Sequence, residues 1–487
     1  MGWFVLISPL SPDPPLWIRV LTPVRAPSPR EIPIRYIAVI DGEHYPPVIS
    51  AALQSLRERG HEIARAVLVG GREKLPAEGL PSLEDLQVDS GDVPAAVLSK
   101  AIEEVRPDAI VDLSDEPVLD YRRRFELASV ALWHGTAYEG ADFSFAMPDR
   151  PKLCTSPSIA VIGTGKRTGK TSVSGALARG LVARGHHPVI VAMGRGGPPD
   201  PEVLKGDELE LRPADLLELA DGGMHAASDY VEDALLGRVP TVGCRRCGGG
   251  LAGGVDITNL AEGIAKANDL DGDITILEGS GSSIPPAHAD ATLLVVPASI
   301  PEEYLSGYFG PYRLLLADVV VVTMCENPFG SPSQISSITS QARHSLRSVI
   351  RSEEKEIQLV RTVFRPTPTR EVQGTTAIVA TTAPETAGAT IRRHLEEEHG
   401  CEIKAISHSL SDRSKLLEEL DAGGGDAQVL LCEIKAAGID VATRWALDKG
   451  LDVVYMDNVP HPIEGDDLDS AFDHLATLAR SRMGKEN

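Results

Sequence analysis

Aromatic residues, cysteines and long apolar runs are all scarce in this chain. These shortages argue against an aromatic core, a disulfide scaffold and a membrane-spanning protein, respectively. Phe, Trp and Tyr make up only 4% of the 487 residues, so the core has to be built from Val, Leu, Ile and Ala. No apolar run approaches the roughly 20 residues that a membrane-spanning helix needs, which argues against a membrane protein. Six cysteines are too few for a disulfide scaffold in so long a chain, so we expect a protein of the reducing cytoplasm.

Positive charge is in short supply as well. The formal net charge is -23, and such a chain is repelled by nucleic acid and by anionic membranes. We therefore expect neither of them as a partner. Against this acidic background, clusters of Lys and Arg in Gly-rich loops are informative, because they could hold a small anionic ligand.

The order of apolar runs and turns predicts an α/β protein. Strand-loop-helix patterns follow one another along most of the chain, which is typical of mostly parallel sheets covered by helices in three layers. We predict a central P-loop NTPase domain flanked by two smaller α/β domains, with a Gly-rich insertion over residues 210–265. The predicted parts are 1–34, a disordered Pro-rich extension or the result of a start placed too early; 35–150, an N-terminal α/β domain; 151–350, the P-loop nucleotide-binding domain; and 351–487, a C-terminal α/β domain.

The clearest motif is a Gly-rich loop between a predicted strand and a predicted helix. It reads GTGKRTGKT from Gly163 to Thr171, and the GKT ending in this context predicts nucleotide binding. Small residues let backbone N–H groups turn inward around phosphate oxygens, and the helix adds its positive N-terminal end. Lys170 would reach the β- and γ-phosphates of ATP, and the hydroxyl of Thr171 would bind Mg²⁺. The predicted ATP-binding residues are Gly163, Thr164, Gly165, Lys166, Arg167, Thr168, Gly169, Lys170, Thr171 and Ser172.

One departure from the common motif lies at the start of this loop. The usual spacing places a glycine six residues before the lysine, where this chain has Thr164, and Gly163 stands one step earlier. The loop is therefore one residue longer than the standard form. The alternative interpretation is an ordinary strand-turn-helix whose glycines serve only the backbone geometry.

Glu278 ends a second apolar strand, ITIL, and precedes the turn GSGSS. If this strand is a near neighbour of the strand before the phosphate loop, the carboxylate lies beside the loop and could bind Mg²⁺ directly or through water. The alternative is a strand-end carboxylate that faces solvent. The predicted metal ligands are Thr171 and Glu278, and the predicted catalytic residues are Lys170, Glu278 and Arg195.

Further basic residues lie in loops that could meet a substrate anion. Arg195, in MGRGGP after the next strand, would share the sheet edge of Lys170, and arginine suits bidentate contact with phosphate or carboxylate. Arg245 and Arg246 stand beside a run of glycines. The alternative for each arginine is a solvated surface charge, and for His44 it is a structural role. The predicted substrate-binding residues are Arg195, Arg245, Arg246, Lys435 and His44.

Several segments resemble two families of P-loop enzymes. The long loop GTGKRTGKT followed by LEGSGSS is similar to the dethiobiotin synthetase class, in which ATP phosphorylates a carboxylate-like group and an internal nucleophile closes a ring. The whole chain, from about residue 35 to 465, resembles the cyclic 2,3-diphosphoglycerate synthetase family more closely. That resemblance rests on IAVIDGEHYPPV, VIGTGKRTGKTSVSGALAR, MGRGGP, GCRRCGGGLAGG, LEGSGSSIPP and CEIKAAGIDV.

The second resemblance implies an ATP-dependent ligase with 2,3-diphosphoglycerate as its substrate and Mg²⁺ as its cofactor. ATP would phosphorylate one phosphate of the substrate. The other phosphate would then attack it, expel inorganic phosphate and close a ring that contains a P–O–P link. Dimers are common in this class of P-loop proteins, so we also expect a homodimer.

Two other functions remain compatible with the sequence. The P-loop could serve a different substrate, as in a dethiobiotin-type or amide-forming ligase or a kinase for phosphoglycerate. The chain could also be a nucleotide switch of the partitioning or metal-chaperone type, which binds a partner protein. Those switches usually carry a signature lysine near the start of the loop, whereas here Gly165 stands five residues before Lys170 and Lys166 is one place off.

Overall fold

A six-stranded sheet forms the N-terminal part of the structure, a computed structural model that describes residues 32–71, 73–74, 83, 86–209, 212–223, 228–345, 350 and 357–484. Residues 1–31 of the predicted extension lie outside the described residues. The strands are β1 (Arg35–Ile40), β2 (Glu62–Leu68), β3 (Val88–Ser90), β4 (Ala109–Asp112), β5 (Ala137–Glu139) and β6 (Ser144–Phe145). Their order is β3-β2-β1-β4-β5-β6, and all neighbours are parallel except β5 and β6.

Three helices connect and cover this first sheet, and each begins with a residue that is favoured at a helix N-terminus. They are α1 (Pro46–Glu58), α2 (Pro94–Val105) and α3 (Tyr121–Trp133). A proline begins α1 and α2, where its missing N–H would have no partner inside the helix. Asp120 caps α3 by accepting a hydrogen bond from the backbone N–H of Arg123.

Thirteen strands form the second sheet, which carries both the P-loop part and the C-terminal part of the chain. The strands are β7 (Ser158–Gly163), β8 (Pro188–Gly194), β9 (Glu202–Lys205), β10 (Pro240–Cys247), β11 (Ile257–Thr258), β12 (Ile274–Glu278), β13 (Ala291–Pro297), β14 (Val319–Thr323), β15 (Gln358–Pro368), β16 (Thr376–Ala380), β17 (Glu402–Ser407), β18 (Val429–Glu433) and β19 (Asp452–Pro462). Their order is β11-β10-β8-β12-β7-β13-β14-β15-β19-β18-β16-β17, and β9 pairs with β10.

Most neighbours in this second sheet are parallel. One parallel run extends from β10 to β15 in the sheet order, and another from β19 to β17. The two runs meet where β15 pairs with β19 antiparallel, from Thr362 opposite Pro462 to Pro368 opposite Met456. The predicted α/β fold with mostly parallel sheets is confirmed.

Helices cover both faces of the second sheet, so three layers result. They are α4 (Lys170–Ala183), α5 (Pro213–Asp221), α6 (Asp229–Gly237), α7 (Leu260–Asn268), α8 (Glu303–Ser306), α9 (Gly310–Leu316), α10 (Pro332–Arg343), α11 (Gly388–His399), α12 (Arg413–Gly423), α13 (Arg444–Lys449) and α14 (Leu468–Arg482), with a 3₁₀ helix at Glu385–Ala387 and a π-helix at Gly438–Thr443. In β7, Val161 lies in the same core as Leu177 of α4, and Ile162 lies in the opposite core with Phe309. Among the described helices, none combines the length and the apolar character needed to cross a membrane.

The last helix, α14, packs on the P-loop part of the chain. The ring of Phe472 packs against Gly180 of α4, and a Cβ atom at Gly180 would lie 3.2 Å from this ring. Arg482 pairs with Asp318, just before β14, at 3.0 Å. Residues from the end of the chain therefore complete the core around β7 and β13.

Residues 210–265, which we expected to form an insertion, contribute two strands, β10 and β11, to the main sheet. Residues 240–247 form β10, which pairs with β8 in parallel along 241–245. The buried part of this strand, TVGC, is short and contains a glycine, so it gives no clear strand pattern in the sequence. The helix α6 precedes the strand and packs against it, whereas α5 packs against the π-helix at Gly438–Thr443.

Candidate active site

The phosphate loop lies between β7 and α4, at the centre of the parallel run. Lys170, the first residue of α4, is 7% exposed. Its Nζ donates to the carbonyl oxygen of Gly165 at 2.9 Å and to the hydroxyl of Thr168 at 3.4 Å. Gly163 leaves room for this side chain, since a Cβ atom there would lie 3.0 Å from Cδ of Lys170. The ammonium group is therefore held inside the loop.

Charged neighbours of both signs surround Lys170. Burial lowers its pKa to about 8, with Arg195 and Arg246 acting in the same direction. Glu278 and Asp229 act in the opposite direction. The loop thus has acidic neighbours, which we call its acidic side, and basic neighbours, which we call its basic side. Lys166 and Arg167, by contrast, are exposed at the tip of the loop.

Two buried carboxyl groups form the acidic side. Thr171 donates from its hydroxyl to Oε1 of Glu278 at 2.9 Å, because β12 is the direct neighbour of β7. Burial raises the pKa of Glu278 to about 7. Asp233 of α6 lies beside Glu278, and burial and this neighbour raise its pKa well above the usual range. Two carboxylates so close together need a shared proton or a cation between them.

The unpaired oxygens of these carboxyl groups fit a divalent cation. Among the described residues, no donor bonds Oε2 of Glu278 or either carboxylate oxygen of Asp233, and all three atoms are buried. Mg²⁺ prefers oxygen ligands, and a hydroxyl with one or two carboxylates is its usual protein set at a phosphate site. Thr171, Glu278 and Asp233 could therefore hold Mg²⁺.

Asp233 was not among the residues that the sequence singled out. It lies in SDYVEDALLG, which folds as α6 and buries Asp233 together with Val231 and Ala234. The available signal was an acidic residue at helical spacing among apolar residues that face the core. An insertion over one end of the sheet, as the sequence predicts for residues 210–265, gives no reason to place Asp233 beside Glu278.

Arg195 and Arg246 form the basic side, at the turn that follows β12. A Cβ atom at Gly281 would lie 2.7 Å from Nη2 of Arg195 and 3.3 Å from Nη2 of Arg246. Burial lowers the pKa of Arg246, and the adjacent Arg195 lowers it further, while Asp229 opposes this effect. Because like charges repel, an anion that binds between the two guanidinium groups would stabilise the pair.

Two other predicted substrate-binding residues, Arg245 and Lys435, do not belong to the pair formed by Arg195 and Arg246. Arg245 precedes Arg246 in β10, so its side chain points to the opposite face of the strand, where it is exposed. Nζ of Lys435 pairs with Glu232 of α6 at 2.7 Å. Burial lowers the pKa of Lys435, but Glu232 outweighs this effect and the net change is upward. This lysine therefore joins the C-terminal part of the chain to α6.

His44 lies in the first sheet, after β1. Its Nδ1 is 2.9 Å from the buried Asp41, and its Nε2 is 3.4 Å from Asp115. Burial raises the pKa of Asp41, but hydrogen bonds from the backbone of Asp115 and from His44 outweigh this effect and lower it. Among the described contacts, none joins His44 to the phosphate loop.

A phosphate-binding loop at the centre of a parallel sheet, with its lysine buried inside the loop, is shared by P-loop nucleotide-binding enzymes, and this protein is one of them. Family models match it in three segments: the N-terminal domain of cyclic 2,3-diphosphoglycerate synthetase at residues 35–146, the P-loop domain at 158–353 and the C-terminal domain at 368–459. The chain belongs to the cyclic 2,3-diphosphoglycerate synthetase family.

Relatives of that name are similar over nearly their whole length. The cyclic 2,3-diphosphoglycerate synthetase of Methanothermobacter thermautotrophicus is 42% identical over 446 residues, which cover 90% of this chain and 94% of the relative. That of Rubrobacter xylanophilus is 44% identical over 453 residues, or 93% and 99% of the two chains. Among solved structures, LpxK from Aquifex aeolicus in complex with ATP covers 68% of this chain and 91% of its own at 14% identity. Its TM-score of 0.38 is too low to bear on function.

Proposed function

We propose that the protein is an ATP-dependent ligase that closes 2,3-diphosphoglycerate into cyclic 2,3-diphosphoglycerate, with release of ADP and phosphate. The observation that carries this proposal is the positive charge beside the phosphate loop. Arg195 and Arg246 lie together at Gly281 and near enough to Lys170 to lower its pKa. A substrate with two phosphates would supply the negative charge that this group of residues needs.

In the first step, one phosphate oxygen of the substrate attacks the γ-phosphorus of ATP, and the bond to the β-phosphate oxygen breaks to leave ADP. Lys170 and the backbone N–H groups of the loop would stabilise charge on the β- and γ-phosphates. Thr171, Glu278 and Asp233 would hold Mg²⁺, which supplies further positive charge to those phosphates when it is bound.

In the second step, the other phosphate of the substrate attacks the substrate phosphorus that now carries the transferred group. The P–O bond to the transferred group breaks, and inorganic phosphate leaves as the ring closes. Arg195 and Arg246 would hold the two substrate phosphates close together against their mutual repulsion. Because both reacting groups belong to one molecule, correct orientation is worth several orders of magnitude in rate.

We infer a cytoplasmic homodimer whose partner is a small anionic substrate, and neither nucleic acid nor a membrane. The net charge of -23 disfavours nucleic acid and anionic membranes, and the scarcity of cysteine favours the cytoplasm. The homodimer follows from the frequency of dimers in this class of P-loop proteins.

Phosphorus NMR of the purified protein with Mg²⁺, ATP and 2,3-diphosphoglycerate tests the reaction. A new P–O–P signal that appears together with ADP and free phosphate is the expected result. Consumption of ATP without this signal would mean that the enzyme is a different ligase or a kinase. No change in a preparation that binds ATP would favour a nucleotide switch instead.

A further inference from the structure

A third arginine, Arg313 of α9, is buried behind the basic side of the site. It is 5% exposed, and burial lowers its pKa to about 10. Within the part of the chain that the structure describes, no carboxylate pairs with it. Its Nη2 donates to the carbonyl oxygen of Ser282 at 2.7 Å, and its Nη1 donates to that of Phe309 at 3.0 Å. Both nitrogens lie 3.4 Å from the carbonyl oxygen of Leu251.

A guanidinium group in this position is costly for the folded protein. Carbonyl oxygens satisfy its N–H groups but do not cancel its charge, and an uncompensated buried charge opposes folding. Among the described residues, its Nε has no hydrogen-bond acceptor at all. An anion that binds nearby would offset this cost.

Arg313 and Arg246 hold the same two loops from different positions. Arg246 donates to the carbonyl oxygen of Ser280 at 2.8 Å and to that of Gly248 at 3.2 Å. Arg313 bonds Ser282 in the first of these loops, the turn 280–283, and Leu251 in the second, the glycine-rich loop 248–254. Each arginine therefore connects the turn after β12 to the loop after β10.

The two loops also touch each other. The backbone N–H of Ile284 donates to the carbonyl oxygen of Gly253 at 2.8 Å. A Cβ atom at Gly253 would lie 2.7 Å from Ile284 and 3.3 Å from Nη2 of Arg313, and Gly253 has a φ of +86. The glycine thus permits a contact that a side chain would prevent, and Arg313 lies at that contact.

We propose that Arg313 is a positioning residue for the second phosphate of the substrate. It fixes the turn 280–283 against the loop 248–254, which sets the place of Arg246, and its charge makes this subsite more positive. This assignment rests on the proposed function, because it takes a diphosphorylated molecule as the ligand. A monophosphorylated analogue such as 3-phosphoglycerate would gain less from Arg313.

Variants at position 313 of the full chain test this assignment. Arg313→Met should raise the KM for 2,3-diphosphoglycerate about tenfold to a hundredfold, as expected for a lost charged hydrogen-bonding group. The KM for ATP should change less than twofold. Arg313→Lys keeps the positive charge but lacks the planar guanidinium group that can donate to both loops at once. Its KM for 2,3-diphosphoglycerate should therefore lie between those of the wild type and Arg313→Met. The KM for 2,3-diphosphoglycerate should also rise less steeply with salt in Arg313→Met than in the wild type.

Titration calorimetry separates this inference from the proposed function. The wild-type protein is titrated with 2,3-diphosphoglycerate and with 3-phosphoglycerate, and Arg313→Met should narrow the difference between the two affinities. If the wild type binds and cyclises 2,3-diphosphoglycerate while Arg313→Met and Arg313→Lys behave as the wild type does, the inference alone is overturned. Equal losses for ATP and 2,3-diphosphoglycerate would also overturn it, since they indicate a general defect. If the wild type binds no 2,3-diphosphoglycerate, the proposed function fails and the inference fails with it.

Discussion

The ring of Phe364 lies against Gly169, so a strand that joins the C-terminal part of the chain touches the phosphate loop. A Cβ atom at Gly169 would come within 2.4 Å of Cζ of this ring. Gly169 also has a φ of +90, which residues with a side chain rarely adopt. Two independent constraints therefore require glycine immediately before Lys170.

Gly169→Ala should weaken ATP binding at least about tenfold, because it adds the left-handed backbone strain of about 1–2 kcal/mol to a clash with Phe364. Titration calorimetry with ATP measures this effect. Gly165→Ala in the same loop should weaken ATP binding less, since a Cβ atom at position 165 meets nothing within 4 Å. Adding Phe364→Ala to Gly169→Ala should recover the part that is due to the clash. Equal losses in the two single glycine variants would contradict this explanation.

Lys170→Ala should abolish ADP formation, with a loss of at least about a thousandfold in kcat/KM for ATP. The physical reason is that the ammonium group held inside the loop would no longer stabilise charge on the β- and γ-phosphates. A coupled assay for ADP measures the rate. Lys166→Ala, at the exposed tip of the loop, should lower kcat/KM for ATP far less than Lys170→Ala does. Full activity in Lys170→Ala would refute the assignment of the phosphate loop.

Arg246→Ala should raise the KM for 2,3-diphosphoglycerate by tenfold or more, which corresponds to about 1.4 kcal/mol, and leave the KM for ATP nearly unchanged. Arg245→Ala is the matched comparison, because it removes the same charge from the opposite face of the same strand. Steady-state kinetics with each substrate varied in turn decide between them. If both variants lose substrate affinity equally, net charge matters rather than the position of Arg246.

Asp233→Asn should stabilise the Mg²⁺-free protein by about 1–3 kcal/mol, because it removes one of two adjacent buried carboxyl groups. The same change should raise the Mg²⁺ concentration that is needed for half-maximal activity, since a carboxylate ligand is lost. Urea unfolding in EDTA and a Mg²⁺ titration of activity measure the two effects. A Mg²⁺-free protein that is less stable, with an unchanged Mg²⁺ requirement, would show that Asp233 has a structural role.

The parts of the site that could be predicted are those written in contiguous sequence. The phosphate loop is a local motif, and the prediction for Glu278 needed only the assumption that its strand lies near β7, which the sheet confirms. Asp233 and Arg313 could not be found in this way, because only the tertiary fold shows that a helix brings them to this site. The roles of Lys435 and His44 in substrate binding stay predictions.

The fold shows the same division between local and long-range information. Strand-loop-helix patterns predicted the alternation of elements, but the antiparallel pairing of β15 with β19 depends on contacts between residues nearly a hundred positions apart. The sequence does not predict strand β10, because Gly243 weakens its strand pattern. The fold nevertheless requires this glycine, since a Cβ atom at position 243 would lie 2.5 Å from the ring of Tyr230. No local pattern indicates this requirement.

The return of α14 to the P-loop part has a consequence for how the protein is made. The ribosome makes residues 468–482 long after the phosphate loop, so the part of the sheet face around β13 that α14 covers stays exposed until those residues have been made. A message truncated before Leu468 would yield a chain with every residue of the phosphate loop and no finished core to support it. The nucleotide-binding part is therefore completed only after the C-terminal strands that follow it in the sequence have been made.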